Sequence, residues 1–230
     1  MSTGHRRIPW ELIGLLIVVA VFAIGAVFWF ASPRGRGELV APESLVLDEG
    51  SAAHGVTPDG RPYLGEPDAP VRVIEIADFQ CPFCRDFVMQ DFAALKRDYM
   101  DEGTVRWELY SVGFDGNESL AAGIAGVCAA RQGAFWPMHD WLYANASVVI
   151  DSGAFSRDRL LMMAANVGLD VGDFEACLDD PSAEQLVLDN EAFARRLGVT
   201  ASPTFVVGDR LVEGRDIKAL RALIDASIDE

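Results

Sequence analysis

Cys81-Pro82-Phe83-Cys84 is the stretch of this chain whose residue types and spacing most directly imply chemistry. Two cysteines at i and i+3 of a helix share a face and come within reach of a disulfide. The pair follows an apolar, β-branched run directly and opens a helical pattern. Pro82 suits the first helical position, where a missing N–H costs nothing. Cys81 then stands at the helix N-terminus, where unpaired amides and the positive end of the dipole favour a thiolate. Cys84 falls on the apolar side with Phe87 and Val88, which predicts a buried partner. An exposed, acidic attacking thiol beside a buried resolving thiol is what thiol–disulfide exchange requires. Half a zinc site and an inert structural bridge use the same spacing. Zinc, however, needs four ligands, and no second close Cys or Cys/His pair is present.

The elements around this motif must position it. Residues 71–78 (VRVIEIAD) read as a strand apolar on both faces, as in the middle of a covered sheet. Helical spacing follows, with Cys84, Phe87, Val88, Phe92, Leu95 and Tyr99 on one side. Residues 105–114 read as a second strand, and residues 118 to about 197 as helices broken near Gly133, 147–153, Gly168 and Pro181. Residues 204–207 and 211–213 form a hairpin pattern, and an amphipathic helix closes the chain at 216–228. The order β-α-β, helices, β-β-α predicts an α/β domain with a helical insertion between its halves.

Residues 12–31 carry no charge over twenty positions, LIGLLIVVAVFAIGAVFWFA, and a helix of that length spans a bilayer core. Trp10 and Trp29 lie near its ends, where indoles favour the interface. The run closes on Phe28-Trp29-Phe30, a poor cleavage site, so it reads as an uncleaved signal anchor rather than a removed signal peptide. Arg6 and Arg7 before it are balanced by Arg34 and Arg36 after it, so the arginines do not orient it. Residues 1–11 make a short amino terminus, and 32–69, rich in Gly, Pro, Ser and acid, read as a flexible tether to a domain at 70–230. With 19 Lys+Arg against 35 Asp+Glu the net charge is −16, which argues against nucleic-acid binding. It argues equally against electrostatic docking on anionic lipid.

The stretch GRPYLGEPDAPVRVIEIADFQCPFC, with GAFWPMHDWLYAN at 133–145 and GVTASPTFVVGDRLVEG at 198–214, resembles the DsbA-like thioredoxin-fold oxidoreductases, particularly their membrane-tethered bacterial branch. The resemblance covers roughly residues 61–228 and implies a thioredoxin fold with helices inserted at about 116–197. It implies that Cys81 is the nucleophile and Cys84 the resolving thiol. Pro203 would be a cis-proline facing them, with Pro82, Phe83, Ser202 and Pro203 meeting the substrate. The Ser202 backbone would pair with an extended substrate segment, and its hydroxyl either tunes the sulfurs or is a plain turn serine. Glu75 shares a strand face with Val71, Val73 and Ala77, where desolvation raises a carboxylate's pKa. The family position implies a buried acid relaying protons to the resolving cysteine; a Glu reaching solvent or an arginine is the alternative. Asp78 reads as support for the turn, and His139 as a hydrogen-bonded structural histidine.

Cys128 and Cys177 fall on apolar helical faces within the predicted insertion. They are either two buried thiols or a structural disulfide, and some tethered relatives carry a similar bridge. A catalytic and a structural disulfide together imply an extracytoplasmic, periplasmic-type location. That orients the protein as single-pass, amino terminus inside and domain outside. The implied activity is donation of the Cys81–Cys84 disulfide to reduced or misoxidised proteins. Reoxidation would come from a quinone-linked membrane partner of the DsbB-like or vitamin K epoxide reductase-like kind. No metal, flavin or nucleotide is implied. The same chemistry run backwards, as reductase or isomerase, and a non-enzymatic tethered chaperone or assembly factor are the alternatives. Phe83 departs from the family's strongest oxidants, which carry histidine there, and implies a milder oxidant.

Overall fold

The alternating register of two central strands divides the interior into an upper and a lower core. In a computed structural model that describes residues 38–43, 46–47 and 53–229, β3 (Val71–Ala77) and β4 (Val105–Ser111) pair in parallel. Both are buried along nearly their whole length, as a sheet covered on two faces requires. Val73, Ala77, Trp107, Leu109 and Phe205 enter the larger core. Ile74, Ile76 and Tyr110 enter a smaller one against Ala194 and Val199.

Two further labels complete that edge: β1 (His54–Val56) and β2 (Pro62–Leu64) form a hairpin that adds to β4. On the other edge, β5 (Thr204–Val207) runs antiparallel to β3 and carries β6 (Arg210–Glu213). The resulting six-stranded order is β1-β2-β4-β3-β5-β6. Between β3 and β4 lies α1 (Pro82–Phe87), which continues through π-helical turns at Val88–Phe92, an α-helical Ala93–Leu95 and a second π stretch at Lys96–Met100. The wider π turn accounts for the five-residue step from buried Phe87 to buried Phe92.

Five helices are inserted between β4 and β5: α2 (Asn117–Arg131), α3 (Phe135–Asn145), α4 (Arg157–Val167), α5 (Val171–Leu178) and α6 (Pro181–Arg196). Asp170 accepts from Asp173 N–H at 2.9 Å, and Asp180 from Ser182 N–H at 2.8 Å, which caps α5 and α6. Gly168 ends α4 at φ 86°, a left-handed conformation that glycine adopts without strain. Closing the chain, α7 (Ile217–Ile228) is capped by Asp216 and buries Leu220, Leu223 and Ile224 on the sheet. This is a mixed α/β fold with a helical insertion between β4 and β5.

The expectation of a flexible tether over 32–69 needs correction. Its last third is the β1–β2 hairpin, held by buried Leu64 and by Trp136 Nε1 donating to the Tyr63 carbonyl at 3.1 Å. Gly65, at φ 100°, lies so close to β4 that a Cβ there would fall 2.1 Å from the Val105 carbonyl oxygen. Further upstream, Asn145 brackets the Val40 peptide with bonds of 2.9 and 2.8 Å, and Asp140 accepts from Val46 N–H at 2.7 Å. Buried side chains of α3 therefore tie this segment down. The expected membrane segment at 12–31, the amino terminus at 1–11 and part of the tether lie outside the described residues. Among the described residues no helix is long and apolar enough to cross a membrane.

Candidate active site

Strand β3 delivers the chain to its carboxyl edge, and Asp78 turns it into α1. The Asp78 carboxylate is fully buried and accepts from Gln80 N–H at 2.8 Å and Asp115 N–H at 2.9 Å. Burial raises its pKa even so. Gln80 in turn donates to the Asp115 carbonyl, Ser119 Oγ and Asp151 Oδ1, and accepts from Asp151 N–H. Asp151 also accepts the first amides of α2, from Asn117 and Glu118. One polar junction thus fixes the dithiol loop to the insertion.

Cys81 is the residue that caps α1, in extended conformation, with Pro82 at the first helical position. Its thiol is pulled down to about 6, chiefly by a hydrogen bond from Cys84. Burial opposes this, while the Ser202 side chain and the amides of Cys84 and Phe83 assist. Cys84 is fully buried on the inner face of the helix, and burial pushes its thiol well above the ordinary value, with Cys81 adding to the rise. Both are free thiols.

Cys81 was expected to be exposed, and it is only 4% exposed. The loop carrying the cis Ser202–Pro203 peptide accounts for this, since the Cys81 thiol donates to the Ser202 carbonyl at 3.2 Å. Pro203 is itself buried. Pro82 and Phe83 are the exposed members of the motif, Phe83 at 62%.

Glu75 is 1% exposed on the face of β3 that enters the larger core. Trp107, two residues before its parallel partner Leu109, donates Nε1–H to Glu75 Oε2 at 2.9 Å. Burial outweighs that bond and raises the carboxyl to about 7. Glu75 reaches neither solvent nor an arginine: Oε1 has no hydrogen-bond partner. An acid that holds a proton near neutrality inside the core can exchange protons with groups that water does not reach.

The structure also brings Cys128 and Cys177 together, on α2 and α5, as a disulfide with Cα atoms 5.7 Å apart. His139 bonds Asp140 at 3.0 Å through Nδ1 and packs edge-on to Trp136 and Tyr143. Sequence reasoning missed Trp107 and Tyr143 as neighbours of the site. Trp107 had a usable signal, its odd-numbered parity on a strand pairing with Glu75; Tyr143 had none. Among the described residues no group of three or more His, Cys, Asp or Glu side chains is arranged to hold a metal.

A dithiol opening a helix after the first strand of a β-α-β unit, faced by a cis-proline loop, defines a thioredoxin-type exchange protein. The chain belongs to the thioredoxin family: a family model described as Thioredoxin matches residues 57–226. The curated proteins it is similar to include disulfide bond formation proteins. A probable disulfide bond formation protein D of Bacillus cereus is 29% identical over 170 residues, covering 72% of this chain and 77% of that one. The crystal structure of oxidised BdbD from Bacillus subtilis has the same fold, with a TM-score of 0.70 at 24% identity over 78% of this chain and all of that one. A Na(+)/H(+) antiporter NhaA of Herminiimonas arsenicoxydans is 29% identical over 215 residues, 92% of this chain. The chain spans only 32% of that antiporter's length.

Proposed function

We propose that this protein is an extracytoplasmic thiol:disulfide oxidoreductase that donates the Cys81–Cys84 disulfide to reduced proteins. The observation that carries the reading is the placement of the pair: Cys81 caps α1 against the loop with the cis Ser202–Pro203 peptide, and Cys84 lies fully buried behind it. A Cys81 thiol pulled down to about 6 and a Cys84 thiol pushed up by burial agree with that placement. A substrate thiolate attacks Cys81 Sγ, forming a mixed disulfide and breaking the Cys81–Cys84 bond. The electron pair leaves on Cys84 sulfur, which takes a proton from Glu75. A second substrate thiolate then attacks the substrate sulfur, and Cys81 departs as a thiolate that is stable at neutral pH. The substrate has lost two electrons and the dithiol has gained them. In reoxidation Cys81 attacks a partner disulfide and Cys84 resolves it.

Ser202 and Pro203 hold the substrate backbone against Cys81 in this reading, and exposed Pro82 and Phe83 meet its side chains. Residues 12–31 anchor the protein as a single-pass span, with the domain outside, where a quinone-linked membrane protein of DsbB-like or vitamin K epoxide reductase-like type returns it to the disulfide. The Cys128–Cys177 bridge between two helices of the insertion supports an oxidising compartment. Phe83, which supplies no imidazole to the Cys81 thiolate, favours one second reading: the same exchange run toward reduction.

The reduction potential of the pair decides between them. The full chain in detergent is equilibrated with dithiol buffers, and its free thiols are alkylated and assigned by mass. A potential well above thioredoxin's roughly −270 mV supports donation. A value at or below it makes the protein a reductase. Absence of reversible exchange, or a Cys81→Ser variant that still oxidises a reduced substrate, rejects both.

A further inference from the structure

Three buried side-chain atoms among the described residues have no hydrogen-bond partner: Glu75 Oε1, Arg106 Nε and Tyr143 Oη. Glu75 and Tyr143 belong to the larger core, where each is no more than 1% exposed. Leaving a hydroxyl unpaired in a core costs about 1–3 kcal/mol, so a phenol is retained there only if something uses it. Phenylalanine would fill the same space without that cost.

Tyr143 stands on α3, the helix of the insertion that faces the dithiol. Its ring packs on Phe79, two residues before Cys81, with centroids 4.9 Å apart. Its carbonyl accepts from Arg85 Nε at 3.1 Å, next to Cys84. Burial, and after it the neighbouring charges of Cys84 and Glu75, hold the phenol's pKa well above its ordinary value. On its own helix it meets only the His139 ring, already bonded to Asp140. Phe79 and Arg85 flank the Cys81–Cys84 motif in sequence, so these two contacts place Tyr143 beside the exchange site.

Whenever the Cys81–Cys84 bond opens, a full negative charge appears in this dry pocket, first on Cys84 and then on Glu75 once the proton has moved. Trp107 serves one carboxylate oxygen; the other has nothing. We propose that Tyr143 is a positioning residue for exchange, its phenol being the second donor that serves the buried negative charge at Cys84 and Glu75. The inference rests on the oxidoreductase reading. It adds a proton-handling group contributed by the helical insertion rather than by the thioredoxin core.

The test follows reduction of the oxidised full chain by excess dithiothreitol across pH, with rates corrected for the reagent's own thiolate. In the wild type the corrected rate falls as Glu75 loses its proton. Without the phenol the carboxylate is worse served, and Tyr143→Phe moves that inflection up by about one pH unit. In the Glu75→Gln background, where no carboxyl titrates, Tyr143→Phe slows opening of the Cys81–Cys84 bond by the same factor at every pH. An unmoved or lowered inflection, or a pH-dependent effect of Tyr143→Phe in the Gln background, overturns the proposal. A second measurement needs no variant: the infrared difference spectrum between oxidised and reduced wild type contains a shifted tyrosine ring mode, and its absence overturns the proposal too. A wild type without reversible exchange removes the parent reading and this one with it. Normal exchange with an unmoved profile removes only the role of Tyr143.

Discussion

Replacing Cys84 by alanine separates two explanations for the acidity of Cys81. One credits the amino end of α1, whose amides at Phe83 and Cys84 point at the sulfur; the other credits the Cys84 thiol. The Cys84 hydrogen bond ranks first among the causes, ahead of Ser202 and both amides. A hydrogen bond to a charged acceptor contributes about 1.5–3 kcal/mol. At 1.36 kcal/mol per pH unit, its loss raises Cys81 by about one to two units. Starting from about 6, the thiol of the alanine variant titrates at roughly 7–8. At pH 7 the thiolate fraction falls from about nine-tenths to between about one-half and one-tenth. Cys84→Ser keeps a donor and stays near the wild-type value. The assay is the ultraviolet absorbance of the thiolate against pH. With Cys128 and Cys177 bridged, Cys81 is the sole titrating cysteine in either variant. An alanine variant that still titrates near 6 refutes the reasoning and returns the effect to the helix terminus.

Two more outcomes follow from the buried groups. Glu75 holds its proton to about 7 in the folded state against an ordinary 4.5, so the folded chain binds more protons than the unfolded one between those values. Stability therefore declines as pH rises through that window, by an amount of order 3 kcal/mol. Glu75→Gln flattens the decline, and denaturant unfolding at several pH values checks it; equal slopes in both proteins would sink the idea. The Cys128–Cys177 bridge closes a separation of 49 residues, worth about 4 kcal/mol in chain entropy. Replacing both by alanine should lower unfolding free energy by that order while Cys81–Cys84 exchange continues. A loss of exchange with stability unchanged would assign the bridge a different role.

How much of this was legible beforehand depended on the length and regularity of each signal. The seven-residue strands β3 and β4 have unbroken apolar runs, and the helices of the insertion are long and well punctuated, so the α/β order with inserted helices could be read. The hairpin could not. Its strands are three residues each, its sequence is full of Gly and Pro, and what joins it to the sheet is pairing with the distant β4. Val40 and Val46 are held by side chains of Asn145 and Asp140, about a hundred residues away in sequence, and no local pattern records such a contact. At the site, the high carboxyl of Glu75 follows from its neighbours along one strand. The enclosure of Cys81 depends on the distant loop at Ser202–Pro203, and the phenol of Tyr143 arrives on a helix whose orientation periodicity does not give.

The balance of these terms bears on the direction of electron flow. Lowering a thiol from 9.0 to about 6 stabilises the reduced form only where the thiolate is populated. The contribution is complete above the higher value and fades as pH falls through the lower one. At pH 7 it comes to about 1.4 kcal/mol, or roughly 30 mV for a two-electron couple. Cys84 adds nothing, because its thiol stays protonated. Glu75 near 7 is divided between its two states at that pH and can serve as donor or acceptor of the Cys84 proton. Electrostatics at the sulfurs thus favour donation of the disulfide, but modestly, as expected of a motif with phenylalanine rather than histidine between its cysteines. The measured potential should therefore lie closer to thioredoxin's roughly −270 mV than to that of a strongly oxidising pair.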